Sequence, residues 1–377
     1  MTYITQKLKN ISKIKTGKLD SNASVIGGSY PFFTCDPQTL RIDNWAYDTE
    51  AVLLAGNNAS GNYTAKYYNG KFNAYQRTYI IETADDKVIK VRFLCYAINQ
   101  QLQLLKVMSA GSTTKFLTIK MLDNLDIPCP AITIQNKIID ILGTIDDLIE
   151  NNQKQIKLLE EAAQRLYKEW FVDFRFPGHE TTPVIDGVPK GWTRTTIGEL
   201  CLLCKKVISP EEVAPYTPYI GLEHIPRKDF CLSSWGDASK VSSNKYEFCK
   251  NDIIFGQIRP YFHKVGFAIV DGVASTDSFV IKPLEKVWGL FLMTVSSEAF
   301  VNYSYQTCKE GAKMPRADWN QMKKYPALVA ANSIQIQFEK LIISITKKIT
   351  ALALQNKTLA ESRDRLLPKL MGGDFMA

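Results

Sequence analysis

Residues 138–166 read IIDILGTIDDLIENNQKQIKLLEEAAQRL, and residues 342–370 read IISITKKITALALQNKTLAESRDRLLPKL. In both stretches apolar residues recur at alternating spacings of three and four, which is the pattern of a coiled-coil seam. The first seam comprises Ile138, Ile141, Ile145, Leu148, Asn152, Gln155, Leu159, Ala162 and Leu166. The second comprises Ile342, Ile345, Ile349, Leu352, Asn356, Leu359, Arg363, Leu366 and Leu370. Because every position recurs 204 residues later, the pattern predicts two related long helices.

An asparagine interrupts both seams at the same point, as Asn152 and as Asn356. A polar side chain inside a heptad seam costs stability unless it finds a partner, and its best-attested use is to fix the register of paired helices. We therefore expect the two helices to pair with each other, with Asn152 near Asn356. Two unrelated amphipathic helices on separate domains remain the alternative, because such heptads also occur on core helices. At the end of the second seam, Arg363 and Pro368 are expected to loosen the pairing.

The chain of 377 residues is long enough for two domains, and its composition changes divide it further. A mixed segment precedes each helix and is rich in β-branched and aromatic runs, which are typical of strands. Proline and glycine residues mark the ends of the helices and a linker between the two halves. The expected parts are residues 1–132 (globular), 133–174 (helix), 175–191 (linker), 192–332 (globular) and 333–377 (helix and tail).

The bulk composition excludes some protein classes. The net charge is +8, from 46 Lys and Arg against 38 Asp and Glu, which is compatible with a polyanionic partner without identifying one. No stretch approaches the roughly 18 apolar residues of a membrane span, and the first ten residues lack the apolar core of a signal peptide. The 8 cysteines are scattered, which favours free thiols. We therefore expect a cytoplasmic protein without a membrane partner.

Several local sequences occur in a specific order around the two helices. They are Lys7-Leu8-Lys9-Asn10-Ile11, Gly111-Ser112-Thr113-Thr114-Lys115, Ile134-Gln135, Leu166-Tyr167-Lys168-Glu169-Trp170-Phe171 and Gly191-Trp192-Thr193-Arg194-Thr195-Thr196-Ile197-Gly198. Together with the repeated order of globular segment and helix, they give a chain that resembles the specificity subunits of type I restriction-modification systems. The resemblance extends over essentially the whole length.

The resemblance implies an α+β fold with a pseudo-two-fold internal repeat. Two target-recognition domains of mixed α/β structure would be separated by two long antiparallel helices that form a coiled coil. Each domain would bind one half of a split, asymmetric site in double-stranded DNA. In such host-defence systems two methyltransferase subunits carry S-adenosylmethionine and methylate adenine, and motor-nuclease subunits that use ATP and Mg²⁺ cut unmodified DNA. The resemblance therefore implies a non-catalytic recognition subunit that holds no cofactor itself.

Arg, Lys, Gln and Asn on turn-rich loops are the residues that pair with base edges and phosphates. The candidates for base edges are Asn57, Asn58, Gln76 and Arg77 in the first domain and Gln257 and Arg259 in the second. The candidates for phosphate contacts are Lys15, Lys18, Thr113, Lys115, Lys264, Lys313 and Arg316. For each, a solvated loop residue or a structural turn is the alternative. A docking surface for partner subunits is expected at Leu158, Tyr167, Trp170 and Phe171.

Motifs for other activities are missing from the sequence. The chain has neither the Asn/Asp-Pro-Pro-aromatic loop and glycine-rich motif of an adenine methyltransferase nor a phosphate-binding loop. Cys201 and Cys204 have the spacing of half a zinc site, but no second close pair follows. Two alternatives stay open: a self-contained methylase or nuclease with unrecognised catalytic residues, and a coiled-coil scaffold. The first would turn over substrate alone, and the second would lack salt-dependent DNA affinity.

Overall fold

The computed structural model describes residues 3–58, 61–109, 115–308 and 313–372. Two compact units make up the chain. The first unit combines residues 1–149 with 358–377, and the second unit consists of residues 150–357. This division differs from the five expected parts, because each long helix contributes residues to both units.

The two long helices span Ile132–Tyr167 and Asn332–Gly372. A π-helical turn, Lys168–Val172, continues the first helix. The second helix extends to Gly372, in agreement with the end expected near Pro368 and Gly372-Gly373. Pro368 lies inside it, where the lost N–H bond and the crowding of the preceding turn by the proline ring fall close to the C-terminal end. Within the ranges that the structure describes, no helix combines the length and the apolar character that a membrane span requires.

The core of the first unit is a six-stranded sheet on which helices pack. Its strands lie in the order Ser12–Thr16, Thr78–Thr83, Tyr47–Ala55, Ala65–Ala74, Tyr30–Phe33 and Leu40–Ile42. The last five residues of Tyr47–Ala55 are all buried, because this apolar strand lies between two antiparallel neighbours and is covered on its faces. The remaining elements of this unit are helices Leu8–Ile11, Val91–Gln100, Leu102–Met108 and Ile119–Asp123, and strand pairs Thr5–Lys7 with Asp126–Pro128 and Asn57–Asn58 with Lys115–Phe116.

The second unit repeats the first five strands of that sheet in the same order. They are Cys201–Cys204, Ser278–Pro283, Ile253–Gly256, Val265–Ala268 and Cys231–Leu232. In both sheets the fourth and fifth strands are parallel, whereas the earlier neighbours are antiparallel. The strand pair Thr193–Thr196 with Pro326–Val329 likewise repeats the pair at the start of the first unit. The structure thus confirms the internal repeat and the α+β class.

An additional five-stranded sheet distinguishes the second unit from the first. Its strands lie in the order Val207–Ile208, Lys245–Phe248, Gly272–Ala274, Pro218–Ile220 and Gly236–Asp237. The helices of the second unit, besides its parts of the long ones, are Trp288–Val295, Glu298–Gln306 and Trp319–Met322. The segment expected to be a linker forms a small hairpin, Val184–Ile185 with Val188–Pro189.

Aromatic side chains join the two long helices in the core of the second unit. Phe338 is fully buried, and its ring lies 5.8 Å from that of Trp170 and 4.7 Å from that of Phe171, measured between centroids. In the same unit Asn152 contacts Asn356, whereas the later residue Trp170 contacts the earlier residue Phe338, so the two helices run antiparallel here.

We expect Phe338→Ala to lower the free energy of unfolding by about 3–5 kcal/mol, because it removes a buried ring and leaves a cavity against two aromatic neighbours. Ile336→Ala is the matched control, since Ile336 lies on the same helix and is 58% exposed. The control should change stability by no more than about 0.5 kcal/mol. Urea denaturation followed by tryptophan fluorescence measures both, and equal losses in the two variants would contradict this packing.

Candidate nucleic-acid interface

The predicted base-contacting residues of the first unit come together at one edge of its sheet, where strand Tyr47–Ala55 ends and strand Thr78–Thr83 begins. The backbone N–H of Gly56 donates to the carbonyl of Arg77 at 2.8 Å, which joins the loop after strand Tyr47–Ala55 to the turn before strand Thr78–Thr83. A Cβ at position 56 would lie 2.4 Å from that carbonyl oxygen, so only glycine allows this approach. Gln76 and Arg77 are both exposed on the turn.

Asn57 and Asn58 lie beside the same edge in a two-residue strand. In the strand register Asn57 lies opposite Phe116, and Asn58 lies opposite Lys115. The Oδ1 atom of Asn57 is buried and has no hydrogen-bond partner among the described residues. An unpaired buried carbonyl is costly, and a ligand that donates a hydrogen bond would relieve it.

A cavity of about 310 Å³ opens at this edge. Its walls are Thr16, Gly56, Gln76, Arg77, Tyr79 and Leu117. The hydroxyl of Tyr79 donates to the carbonyl of Leu117 at 2.8 Å, so the ring is held in place as one wall. Two of the predicted base-contacting side chains thus flank a polar recess.

The candidate phosphate contacts of the first unit differ in their surroundings. Lys15 forms an ion pair with Glu82 at 2.9 Å and lies over the ring of Tyr47, so its charge is already compensated. Lys18 is exposed, and its backbone N–H donates to the carbonyl of Ala74 near the turn that carries Gln76. Thr113 lies outside the described residues, so the phosphate clamp predicted there remains a prediction.

The second unit builds the corresponding edge in the same way. Gln257 follows strand Ile253–Gly256, and its backbone N–H donates to the carbonyl of Asp277 at 2.9 Å. Its own carbonyl accepts the N–H of Ala317 at 3.0 Å. In the first unit, the carbonyl of Gly56 accepts from Leu117 at 2.8 Å in the equivalent place. The hydrogen bonds therefore repeat while the side chains differ.

Three candidate phosphate contacts belong to this second edge. Lys313 is exposed, whereas Arg316 forms an ion pair with Asp277 at 2.8 Å. The ammonium of Lys264 is half-buried and donates to the backbone carbonyl of Leu222. Burial lowers the pKa of Lys264, and the nearby Arg227 lowers it further. One of the three ammonium donors of Lys264 is thus engaged by a carbonyl, and the phosphate contact predicted for this residue remains a prediction.

The seam of the two long helices contains the predicted asparagine contact. Asn152 is 2% exposed, and its Nδ2 donates to the Oδ1 of Asn356 and to the Oε1 of Gln355, each at 2.9 Å. Both hydrogen bonds of the buried Nδ2 group are therefore accepted by amide oxygens of the second helix. Such a layer favours one register of the helices over shifted ones, because a shift would leave buried amides unpaired.

Arg363 was expected to loosen the end of the second seam, and this expectation is wrong. Its guanidinium forms an ion pair with Asp146 of the first long helix, with Nη1 to Oδ1 at 3.0 Å. Asp146 also accepts the hydroxyl of Tyr96 at 2.6 Å. A charge at this seam position thus forms a specific cross-helix contact within the first unit.

The predicted docking surface is only partly exposed. Leu158 is 64% exposed, as a docking residue must be. Trp170 and Phe171 are instead buried, and Tyr167 packs against the same core of the second unit. The prediction is wrong for Trp170 and Phe171, because Phe338 and Trp192 cover their rings, and the half-buried Tyr167 stacks on Phe171.

Buried polar side chains attach the long helices to a sheet strand and to the starts of short helices, and the sequence analysis did not identify them. The Oε1 atom of Glu160 accepts the backbone N–H groups of Phe230 and Cys231, both at 2.9 Å. Glu339 accepts the N–H groups of Gly289 (2.6 Å) and Leu290 (3.0 Å) at the start of a helix. Gln135, which lies 204 residues before Glu339, accepts the N–H of Lys90. The signal that would have identified them is a polar residue on the apolar face of each helix.

The cysteines do not form a recognisable metal centre. Burial raises the pKa of the Cys201 thiol to about 12 and also raises the pKa of Cys204, which disfavours the thiolates that bind zinc. Across the described ranges no three His, Cys, Asp or Glu residues are arranged to hold a metal ion.

Comparison with known proteins identifies relatives of one kind. A family model described as "Type I restriction modification DNA specificity domain" matches residues 2–161. The Escherichia coli type I restriction enzyme EcoDI specificity subunit is 31% identical over 309 residues, which cover 74% of this chain and 66% of that relative. The chain therefore spans about two thirds of the length of that protein.

Two further proteins extend the comparison. The MjaIX specificity subunit of Methanocaldococcus jannaschii is 25% identical over 309 residues, covering 77% of this chain and 70% of that one. The crystal structure of a type I restriction-modification S subunit from M. genitalium has a TM-score of 0.60 and 16% identity, with 98% of this chain and 96% of that chain covered. This structure shares the fold.

The pH dependence of stability should report on the contact made by Glu160. Burial, with a smaller contribution from the nearby Asp229, raises the pKa of Glu160 to about 7. Because the folded pKa lies above that of the unfolded chain, the folded state binds the proton more tightly. This contribution to stability is complete below about pH 4 and is lost as the pH rises through 7.

We expect the free energy of unfolding to fall by roughly 2–3 kcal/mol more in the wild type than in Glu160→Gln between pH 5 and pH 8. The glutamine keeps one oxygen that can accept both N–H groups but does not titrate. Glu161→Gln, at the exposed neighbouring position, is the control and should follow the wild type. Urea denaturation at a series of pH values measures the difference, and parallel curves for wild type and Glu160→Gln would refute the assignment.

Proposed function

Because this chain belongs to the family of type I restriction-modification specificity subunits, we propose that it recognises a split, asymmetric DNA sequence and positions partner subunits on it. The first unit would bind one half-site and the second unit the other. The two long helices would fix the length of the unread spacer between the half-sites, with Asn152 and Asn356 holding their register.

The observation that carries this proposal is the repeated sheet edge with different side chains. Both edges hold a loop by the same backbone hydrogen bonds, but the first offers Asn57 and Asn58 whereas the second offers Gln257 and Arg259. Amides suit adenine edges and guanidinium groups suit guanine edges. Recognition of two different half-sites requires loops that are held alike but present different hydrogen-bond donors and acceptors, as these two loops do.

Phosphate contacts would hold each unit on the duplex without contributing sequence information. Lys18, Lys115 and Lys313 are our candidates, and Arg316 could join them by exchanging Asp277 for a phosphate. The net charge of +8 supports an electrostatic contribution of this kind.

The partners we propose are two methyltransferase subunits and the motor-nuclease subunits of the same system. S-adenosylmethionine, ATP and Mg²⁺ would be bound by those subunits, and this chain would contribute recognition without catalysis. Of the residues predicted to form the docking surface, Leu158 is the one whose exposure supports contact with a partner subunit.

The decisive experiment is methylome sequencing of a host that expresses this chain together with its methyltransferase subunit, compared with a host that expresses the methyltransferase subunit alone. We expect an adenine-methylated motif with two different halves and a fixed spacer, present only with this chain. Unchanged methylation with an intact, bound methyltransferase would refute the recognition role and favour a scaffold. Methylation by this chain alone would favour the self-contained enzyme.

The salt dependence of DNA binding should distinguish Lys18 from Lys15. In the assembled methyltransferase, Lys18→Ala should weaken binding to all sequences and reduce the slope of log K against log salt by about 1. Lys15→Ala is the matched control, and its effect should be smaller because Glu82 already compensates that charge. Fluorescence anisotropy over a range of salt concentrations measures both slopes, and equal slopes in the two variants would count against this assignment.

A further inference from the structure

Arg259 has an unusual backbone in the loop that follows strand Ile253–Gly256. Its φ is 51° and its ψ is 61°, which is the left-handed region that side chains other than glycine and asparagine rarely adopt. The next residue is Pro260, which further restricts the residue before it. Strained residues of this kind persist only where the surroundings hold them, and they cluster at functional sites.

Backbone hydrogen bonds hold the loop in this conformation. The N–H of Arg259 donates to the carbonyl of Pro315 at 2.8 Å, and its carbonyl accepts the N–H of Phe262 at 2.8 Å. An isolated β-bridge between Ile258 and Arg316 lies alongside. The backbone of Arg259 is therefore held by hydrogen bonds at both its N–H and its carbonyl, so the side chain extends from a rigid backbone.

Among the residues that the structure describes, none accepts a hydrogen bond from the guanidinium of Arg259. Its Nε is buried without a hydrogen-bond partner among the described residues, and its Cζ lies 5.8 Å from the centre of the Phe262 ring. The guanidinium of arginine is planar and carries five N–H donors. A buried N–H without a partner costs free energy unless a ligand accepts a hydrogen bond from it.

The acidic residues around this loop are already paired. Arg316 forms an ion pair with Asp277 at 2.8 Å, and Lys228 forms one with Glu298 at 2.8 Å. Within the described part of the chain, no carboxylate lies within salt-bridge distance of Arg259. The surroundings thus leave this cation available for a ligand from outside the protein.

Building on the function proposed above, we propose that Arg259 recognises a guanine in the half-site bound by the second unit. The chemistry it offers is a pair of parallel N–H donors for two neighbouring acceptors. Guanine presents such a pair as O6 and N7 in the major groove, and phosphate oxygens present another. The rigid backbone favours guanine, because a phosphate contact tolerates a flexible side chain whereas a base contact requires fixed geometry.

The first unit provides the contrast that makes the proposal specific. Its equivalent loop carries Asn57 and Asn58, which have no guanidinium. A change at Arg259 should therefore alter one position of one half-site and leave the other half-site as it was.

The test is the methylome of the assembled methyltransferase carrying Arg259→Gly. Glycine adopts a positive φ without strain, so this variant keeps the loop conformation while it removes the side chain. We expect discrimination at a single G·C position of one half-site to fall by about 10- to 100-fold, with the spacer and the other half-site unchanged. Thermal unfolding of the variant at or above the wild-type temperature would show that folding is intact.

Arg227→Ala is the matched control, because its guanidinium lies over the same Phe262 ring, with Cζ 4.1 Å from the centre. It should leave the motif unchanged. Lower methylation at all sites with an unaltered motif in Arg259→Gly would identify a phosphate contact and overturn the guanine proposal. An unchanged motif at unchanged levels would overturn it as well. If the wild type shows no split motif, the proposed function itself fails, which is a different outcome.

Discussion

The buried amide of Asn152 is the contact on which the arrangement of the two long helices depends. It satisfies its hydrogen bonds only opposite Gln355 and Asn356, and an unsatisfied buried amide would cost about 1–3 kcal/mol. Apolar seams alone tolerate slippage by whole heptads, so this polar layer supplies the register that leucine and isoleucine leave open. This register also places the carboxylates of Glu160 and Glu339 where they accept hydrogen bonds from backbone N–H groups of the second unit.

Comparison of the two units distinguishes the backbone contacts that the fold requires from the loop side chains that would differ between two recognition sites. The strand order and the backbone hydrogen bonds at the sheet edge recur, since any shortened or shifted strand would leave buried N–H and C=O groups unpaired. The side chains on the loops face no such requirement. The edge therefore provides a constant support on which Asn57 in one unit and Arg259 in the other can present different hydrogen-bonding groups.

The sequence predictions succeeded where the signal was periodic and failed where burial decided the outcome. The heptads and the contact between Asn152 and Asn356 followed from spacing alone. Trp170 and Phe171 were expected at a docking surface, but aromatic residues at a helix end have the same pattern whether another subunit or the chain's own core covers them. Arg363 was expected to weaken the seam, because the sequence does not reveal that Asp146 lies opposite.

Residue order was enough to predict the internal repeat, the two long helices, the strand-rich segments and the family to which the chain is similar. These properties depend on residue order and on spacings of two to four residues, so neighbouring residues are enough to recognise them. The folded arrangement, by contrast, sets which charged side chains stay available. Lys15, Lys264, Arg259 and Arg316 are all basic loop or strand residues in sequence. Glu82, the Leu222 carbonyl and Asp277 engage three of them, whereas the Nε of Arg259 has no acceptor among the described residues. That outcome depends on atoms that are distant along the chain and come within about 3 Å only after folding.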